Sequence, residues 1–334
     1  MYSVSILVPV YNVADYIERC VRSLMEQTYG NIQYVFVDDC TPDNSTDIIR
    51  SIIKEYPQRE KNVLILSHEK NRGLAAARNT AVDNATGLFV FHCDSDDYIE
   101  KDTIEKLVNT QIETNADIVT GLSLMETKDE KKIMETREYA TKDKNILDVI
   151  KPSLRHTIWG RLIKKTLYID NNIQAKEGSN VGEDVQVVPK LFYYAKKTAF
   201  CYSLIYHYNC ENVNSYMHQN TNFIKLCKKG EQDVDSYMVV RDFFKGKDSI
   251  FFVESELGVS KFTQRLMWIY VKLKDKKNFE RIKKIYNQLN NKKVFASVWC
   301  YLHNITEYNY CFCRLTDIIL SPFINFLRKR NKNL

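Results

Sequence analysis

The sequence predicts an α/β protein: a largely parallel sheet flanked by helices, with a helical extension at the carboxyl end. Two observations predict it. Short apolar runs alternate with amphipathic segments through the first 120 residues, the pattern of successive β-α units. From about residue 224 onward that alternation stops, and a Lys-rich helical pattern interleaved with Tyr, Phe and Trp takes over.

Each element follows from its own residues. SVSILVPV (3–10) is an apolar run rich in β-branched residues and reads as a strand. Residues 13–27 place Ile17, Cys20, Val21 and Leu24 at helical spacing. QYVFVDD (33–39) is a second strand, STDIIRSIIKEY (45–56) a second helix and NVLILS (62–67) a third strand. NRGLAAARNTAVDNA (71–85) reads as a third helix, GLFVFHCD (87–94) as a fourth strand, 101–114 as a helix and ADIVTGL (116–122) as a fifth strand. Residues 125–145 are charged and read as an exposed excursion, after which IWGRLIKKTLYI and VGEDVQVVPKLFYYAKK resume a mixed pattern.

Composition narrows the class. The chain has 334 residues, 44% of them hydrophobic and 27% charged, which excludes disordered and fibrous proteins and suits two domains or one large one. No apolar run approaches the ~18 residues of a membrane span, and MYSVSILVPVY lacks the basic region of a signal peptide. Nine cysteines without paired spacing read as free thiols in a reducing compartment, so a cytoplasmic location is expected. The net charge of +6 is uneven: residues 1–223 hold 26 Lys and Arg against 31 Asp and Glu, while 224–334 hold 22 against 11.

In an open parallel sheet, ligands bind beyond the carboxyl ends of the strands, near the point where strand order reverses. That rule selects Pro9, Val10, Tyr11 and Asn12 after the first strand, Asp38 and Asp39 after the second, and Asp94, Asp96 and Asp97 after the fourth. No GxGxxG or GxxxxGK[ST] occurs among the ten glycines, which argues against a dinucleotide or P-loop enzyme. A diphosphate bound without such a loop needs a metal ion as counter-charge, and DSDD (94–97) offers hard oxygens suited to Mg2+ or Mn2+. If that segment is extended, Asp94 and Asp96 point the same way. DSDD is otherwise a polar turn with a helix cap, and VDD (37–39) a strand end. A calcium EF-hand is excluded, because Ile99 stands where its loop needs glycine.

VSILVPVYNVADYIERCVRSLMEQTY, VFVDDCTPDNSTD, NRGLAAARN, DSDDYI and GED resemble, in order and spacing, the motifs of family 2 inverting glycosyltransferases of the GT-A fold. The resemblance is strong over residues 3–122 and weaker over 155–216. It implies a Rossmann-like mixed sheet in a catalytic domain of residues 1–222, with a nucleotide-sugar half (1–122) and an acceptor half (123–222), followed by a basic, mostly helical region (223–334). It also implies roles. Tyr11 resembles the ring that stacks on the nucleobase and Asp39 the carboxylate that accepts the base N3–H. Arg78 resembles the basic residue lining the nucleotide pocket; otherwise it is a solvated surface arginine. Asp94 resembles the carboxylate on the ribose or sugar, and Asp96, with Asp97, the metal ligands. Pro9 and Ser95 complete the expected donor contacts.

Asp184 resembles the catalytic base, with Glu183 as a supporting acceptor contact; the other reading makes both acids dipole partners of a helix N-terminus, which would hold the aspartate pKa down. Trp159 either stacks on a sugar or belongs to the core. Asn209 occupies the place of an arginine often found in the tyrosine-rich segment IYHYNCENVNS, so either His207 or a C-terminal lysine takes that arginine's part or leaving-group stabilisation is weaker. The implied substrates are a UDP-sugar donor and a glycan or lipid-linked glycan acceptor. The alternative is a non-catalytic nucleotide-sugar-binding or assembly subunit. LTDIILSPFINFLRKRNK places Arg328, Lys329 and Arg330 beside apolar residues, which suits peripheral contact with an anionic membrane surface at the inner face, or else a helical subdomain packed on the catalytic domain. No nucleic-acid-binding module accompanies the charge.

Overall fold

The computed structural model describes residues 2–134, 141–151, 156–212 and 223–290. The chain divides into two compact units, Met1–Val149 with Leu154–His218, and Ile150–Ser153 with Gln219–Leu334. The polybasic 328–330 segment and Cys300, Cys311 and Cys313 lie outside the described residues. Cys20, Cys40, Cys93, Cys201 and Cys227 are free thiols.

The first unit begins with β1 (Val4–Val10), α1 (Ile17–Met25), β2 (Ile32–Asp38), α2 (Ser45–Ile53), α3 (Pro57–Glu60), β3 (Val63–Ser67), α4 (Leu74–Asp83) and β4 (Phe89–His92). It continues with β5 (Tyr98–Ile99), α5 (Thr103–Thr114), β6 (Ile118–Glu126), β7 (Lys131–Ile133), α6 (Lys142–Ile150), β8 (Arg161–Lys164), α7 (Thr166–Ile169), α8 (Glu183–Tyr194) and β9 (Thr198–Asn209). The sheet order is β3-β2-β1-β4-β8-β6-β9-β5, with β7 paired to β6. All seven residues of β1 are buried, because a strand between two parallel neighbours with helices on both faces has no solvent side. The β1 register sets Val10 beside Asp38 and Leu7 beside His92, so the carboxyl ends of β1, β2 and β4 open at one edge.

Three expectations are adjusted. The first helix starts at Ile17, since residues 13–16 form a turn in which the Tyr16 and Ile17 amides donate to the Val13 carbonyl. The third helix starts at Leu74, because Gly73 ahead of it has φ 91°, which no helix accommodates. The parallel half is followed by antiparallel pairing of β8 with β4 and β6, and the charged excursion at 125–145 folds partly into the β6–β7 hairpin. Residues 161–164 and 198–209 mix polar with apolar side chains, which hid these strands from an apolar-run reading.

The described residues 223–290 of the second unit are helical, as their periodicity predicts: α9 (Phe223–Phe244), α10 (Ser249–Lys272) and α11 (Lys276–Asn287). Asp248 caps α10 by accepting from the Ile250 and Phe251 amides, and Asp275 caps α11 through Asn278. Gly258 lets α10 approach the Tyr237 ring of α9, where any Cβ would collide. Among the described residues no helix is long and apolar enough to cross a membrane.

Candidate active site

The loops after β1 and β2 are tied together before either meets a ligand. Asp43 accepts from the Ala14 amide at 2.8 Å, the Thr41 hydroxyl at 2.7 Å and the Ser45 hydroxyl at 2.6 Å, while the Asn12 amide donates to Thr41 Oγ1 at 2.8 Å. Asn12 and Cys40 take left-handed backbone, with φ of 55° and 58°, so both strands turn sharply at their ends. Tyr11 is left 43% exposed over a cleft also lined by Pro9, Asp39, Gly73, Asp94, Ser95 and Asp96. Nothing in its residue type marked Asp43 for this task in the sequence.

Asp39 sits buried on the floor of the cleft. Its Oδ1 accepts from His68 Nδ1 at 2.6 Å and the Arg72 amide at 2.8 Å, and its Oδ2 from the Gly73 amide at 2.7 Å. The NRG loop therefore folds onto the acid that follows β2, and Gly73 supplies the backbone angle that aims its amide there.

The 94–97 segment is a turn, closed by the Asp97 amide on the Asp94 carbonyl at 3.1 Å, rather than an extended continuation of β4. Its acids consequently splay. Asp94 Oδ1 accepts from Arg78 Nη2 at 2.7 Å, and Asp96 Oδ2 accepts from Asn212 Nδ2 at 2.8 Å. Asp97 turns into the protein, where Tyr206 Oη donates to one oxygen at 2.6 Å and the Asn209 amide to the other at 2.8 Å. Tyr206 Oη also accepts the Asp94 amide at 3.0 Å, so one tyrosine of β9 braces both ends of the turn. The turn does not cap α5, whose N-cap is Asp102. Burial, with Asp94 nearby, pushes the Asp96 pKa up to about 6.

Arg78 is 5% exposed, so it is not a solvated surface arginine. Besides Asp94 it holds Glu183 at 2.7 Å and Asp184, both through Nη1. Glu183 and Asp184 open α8 behind Gly182, whose φ is 78°. Asp184 Oδ2 also accepts the Ile158 amide at 3.2 Å. The helix terminus does not hold these acids' pKa values down. Burial pushes Glu183 up to about 8, with the Asp184 charge adding, and burial raises Asp184 as well against the pull of Arg78. Arg161 is a second buried cation nearby: it lies over the Phe192 ring of α8, donates to Thr157 at 3.3 Å, and acts electrostatically on Asp184. The sequence reading passed over Arg161, whose only signal was its place as one of three basic residues in the short segment RLIKK.

Trp159 is core: it stacks on Tyr206 at 4.4 Å and on Tyr208 at 5.6 Å between ring centroids. His207 does not take the part expected of it in the cleft. It is held between Glu100 at 2.7 Å and Glu126 at 3.2 Å and stacks on Tyr98. The cation beside Asp94 is instead Arg78.

The sheet order and flanking helices are those of the GT-A fold, with a helical carboxyl-terminal part. The chain belongs to glycosyl transferase family 2, whose family model matches residues 5–171. It is similar to glycosyltransferase GlyA of Streptococcus pneumoniae, 42% identical over 118 residues, covering 35% of this chain and 16% of that protein. It is also similar to the minor teichoic acid biosynthesis protein GgaB of Bacillus subtilis, 29% identical over 268 residues, covering 72% of this chain and 29% of that one. The chain thus spans less than a third of the length of either relative. Among solved structures it resembles residues 1–349 of S. aureus TarS in complex with UDP-GlcNAc, with a TM-score of 0.54 at 18% identity, covering 86% of this chain and 92% of that one.

Proposed function

We propose that this protein is an inverting glycosyltransferase that moves a sugar from a UDP-sugar onto a hydroxyl of a glycan or lipid-linked glycan by a metal-assisted single displacement. The observation that carries the reading is the Arg78 bridge, which gathers Asp94, in the turn after β4, and the acid pair opening α8. Donor and acceptor chemistry then meet at one guanidinium, with Tyr11 and Asp39 along the same cleft.

In this reading the exposed Tyr11 ring stacks on uracil, Asp39 accepts its N3–H, and Pro9 and Ser95 shape the pocket. Stacking of this kind contributes about 1 to 3 kcal/mol by analogy with bases on aromatic platforms. Asp94 contacts the ribose or sugar. Among the described residues no three His, Cys, Asp or Glu side chains form a ready metal set. Asp96, raised chiefly by burial and then by the neighbouring Asp94 charge, would still suit a hard divalent ion as an oxygen ligand. Asp97 braces the turn that presents Asp96. When bound, Mg2+ or Mn2+ supplies positive charge against the departing diphosphate.

The acceptor hydroxyl attacks the anomeric carbon on the face opposite the leaving group. As that bond forms and the bond to the diphosphate breaks, the hydroxyl proton passes to Asp184. A raised pKa makes Asp184 the stronger base, and Arg78 with the Ile158 amide keeps its carboxylate aimed. The test is a panel of nucleotide sugars incubated with the protein and Mg2+ or Mn2+, scored for release of the nucleoside diphosphate. Turnover of a UDP-sugar that stops on chelation is the expected result; binding without turnover for every donor and acceptor would make this a binding subunit.

A further inference from the structure

We propose that His68 is a positioning residue for base selection, holding the Asp39 carboxylate so that it presents a single free acceptor to the nucleobase. The inference rests on the proposed reading of Asp39 as the group that meets the base N3–H.

A carboxylate oxygen accepts two hydrogen bonds in its plane. Asp39 Oδ1 has both, from His68 Nδ1 and the Arg72 amide, and Oδ2 has one, from the Gly73 amide. Among the described residues one acceptor position is left, on Oδ2, and Asp39 lines the same cleft as Tyr11. A lone acceptor of that kind matches the single N3–H of uracil. It repels cytosine, whose N3 is itself an acceptor.

The two backbone donors belong to one loop and would follow it if it shifted. His68 is the side-chain anchor. Its ring is buried, and its second nitrogen, Nε2, lies 3.0 Å from Thr80 Oγ1 on α4. With Nδ1–H directed at the carboxylate, Nε2 is left to accept from the Thr80 hydroxyl, and the Arg72 Nη1 donor at 3.5 Å favours the same tautomer. The imidazole thus spans from a helix to the floor of the cleft and prevents the Asp39 carboxylate from rotating about its χ2 angle.

The test compares UDP with CDP. Affinities for both are measured by calorimetry in saturating Mg2+ for the wild type, His68→Phe, His68→Gln and Asp39→Asn. The expected result is that His68→Phe lowers the UDP-over-CDP preference by roughly tenfold or more, the order lost when a buried polar readout is disturbed. His68→Gln, which keeps a donor and an acceptor, should recover part of it. Equal weakening of UDP and CDP in His68→Phe, or no change in their ratio, would overturn the proposal. If His68→Phe does not fold, Thr80→Val removes the Nε2 partner and is read the same way. A wild type with no UDP preference, unaltered in Asp39→Asn, would instead sink the base-reading role of Asp39 itself.

Discussion

Arg78 and Asp184, 106 positions apart in the chain, are joined through Arg78 Nη1, and the other end of the same guanidinium holds Asp94. Three carboxylates around one buried cation form an arrangement in which every member depends on the rest. Burial raises the proton affinity of Glu183 and Asp184, and Arg78 lowers it.

Replacing Arg78 with Met should leave those acids buried without a counter-charge. The expected cost is about 3 to 5 kcal/mol of stability, the range for removing one partner of a buried ion pair. Urea unfolding checks it, and a loss below about 1 kcal/mol would mean that the acids neutralise one another by sharing protons.

Asp184→Asn keeps the shape of the side chain and removes its basicity. UDP binding should stay within a few-fold of wild type while turnover falls by roughly 10² to 10⁴. Single-turnover assays beside calorimetry separate the two effects, and unchanged turnover would falsify the base assignment.

Asp96→Ala should abolish the metal dependence of UDP binding. Titrations with and without chelator distinguish the outcomes: wild-type affinity should fall on chelation, and the variant should show the low affinity in both conditions. A wild-type affinity indifferent to chelator rejects the metal site.

Gly73→Ala tests the loop that feeds Asp39. At φ 91° an alanine is strained by about 1 to 3 kcal/mol, and its Cβ would strike the Asn180 side chain that accepts the Leu74 amide. Lower stability and weaker UDP binding should appear together. Weaker stability with unaltered UDP affinity would detach the loop from nucleotide recognition.

His92 predicts a pH dependence. Burial, aided by the charge of Arg78, takes its pKa from 6.5 down to about 3, and its Nδ1 has no partner among the described residues. The folded histidine stays neutral where the unfolded one takes up a proton. Stability from this residue is therefore complete above pH 6.5 and is lost as the pH falls toward 3, by up to about 1.4 kcal/mol per pH unit. Unfolding free energies at pH 7, 6 and 5 should converge between wild type and His92→Gln as the pH drops; parallel curves would refute the assignment.

The strands β1 to β4 and β6, the helices α1, α2, α4 and α5, the missing phosphate loops and the positions of Tyr11, Asp39 and Asp94 to Asp97 were legible in the chain. Apolar periodicity dictates strands and helices locally, and parallel β-α topology sends successive strand ends to one edge. What each acid does there was decided only by the fold. Asp94, Asp96 and Asp97 are close in sequence yet point to Arg78, Asn212 and Tyr206 in turn, because a turn rather than a strand carries them. Asp43, His68, Arg161 and Tyr206 carried no local mark, since a hydrogen-bond partner or counter-charge is chosen by distance in space. The proton affinities of Glu183 and Asp184 likewise followed burial, which overrode the helix terminus that sequence alone put beside them.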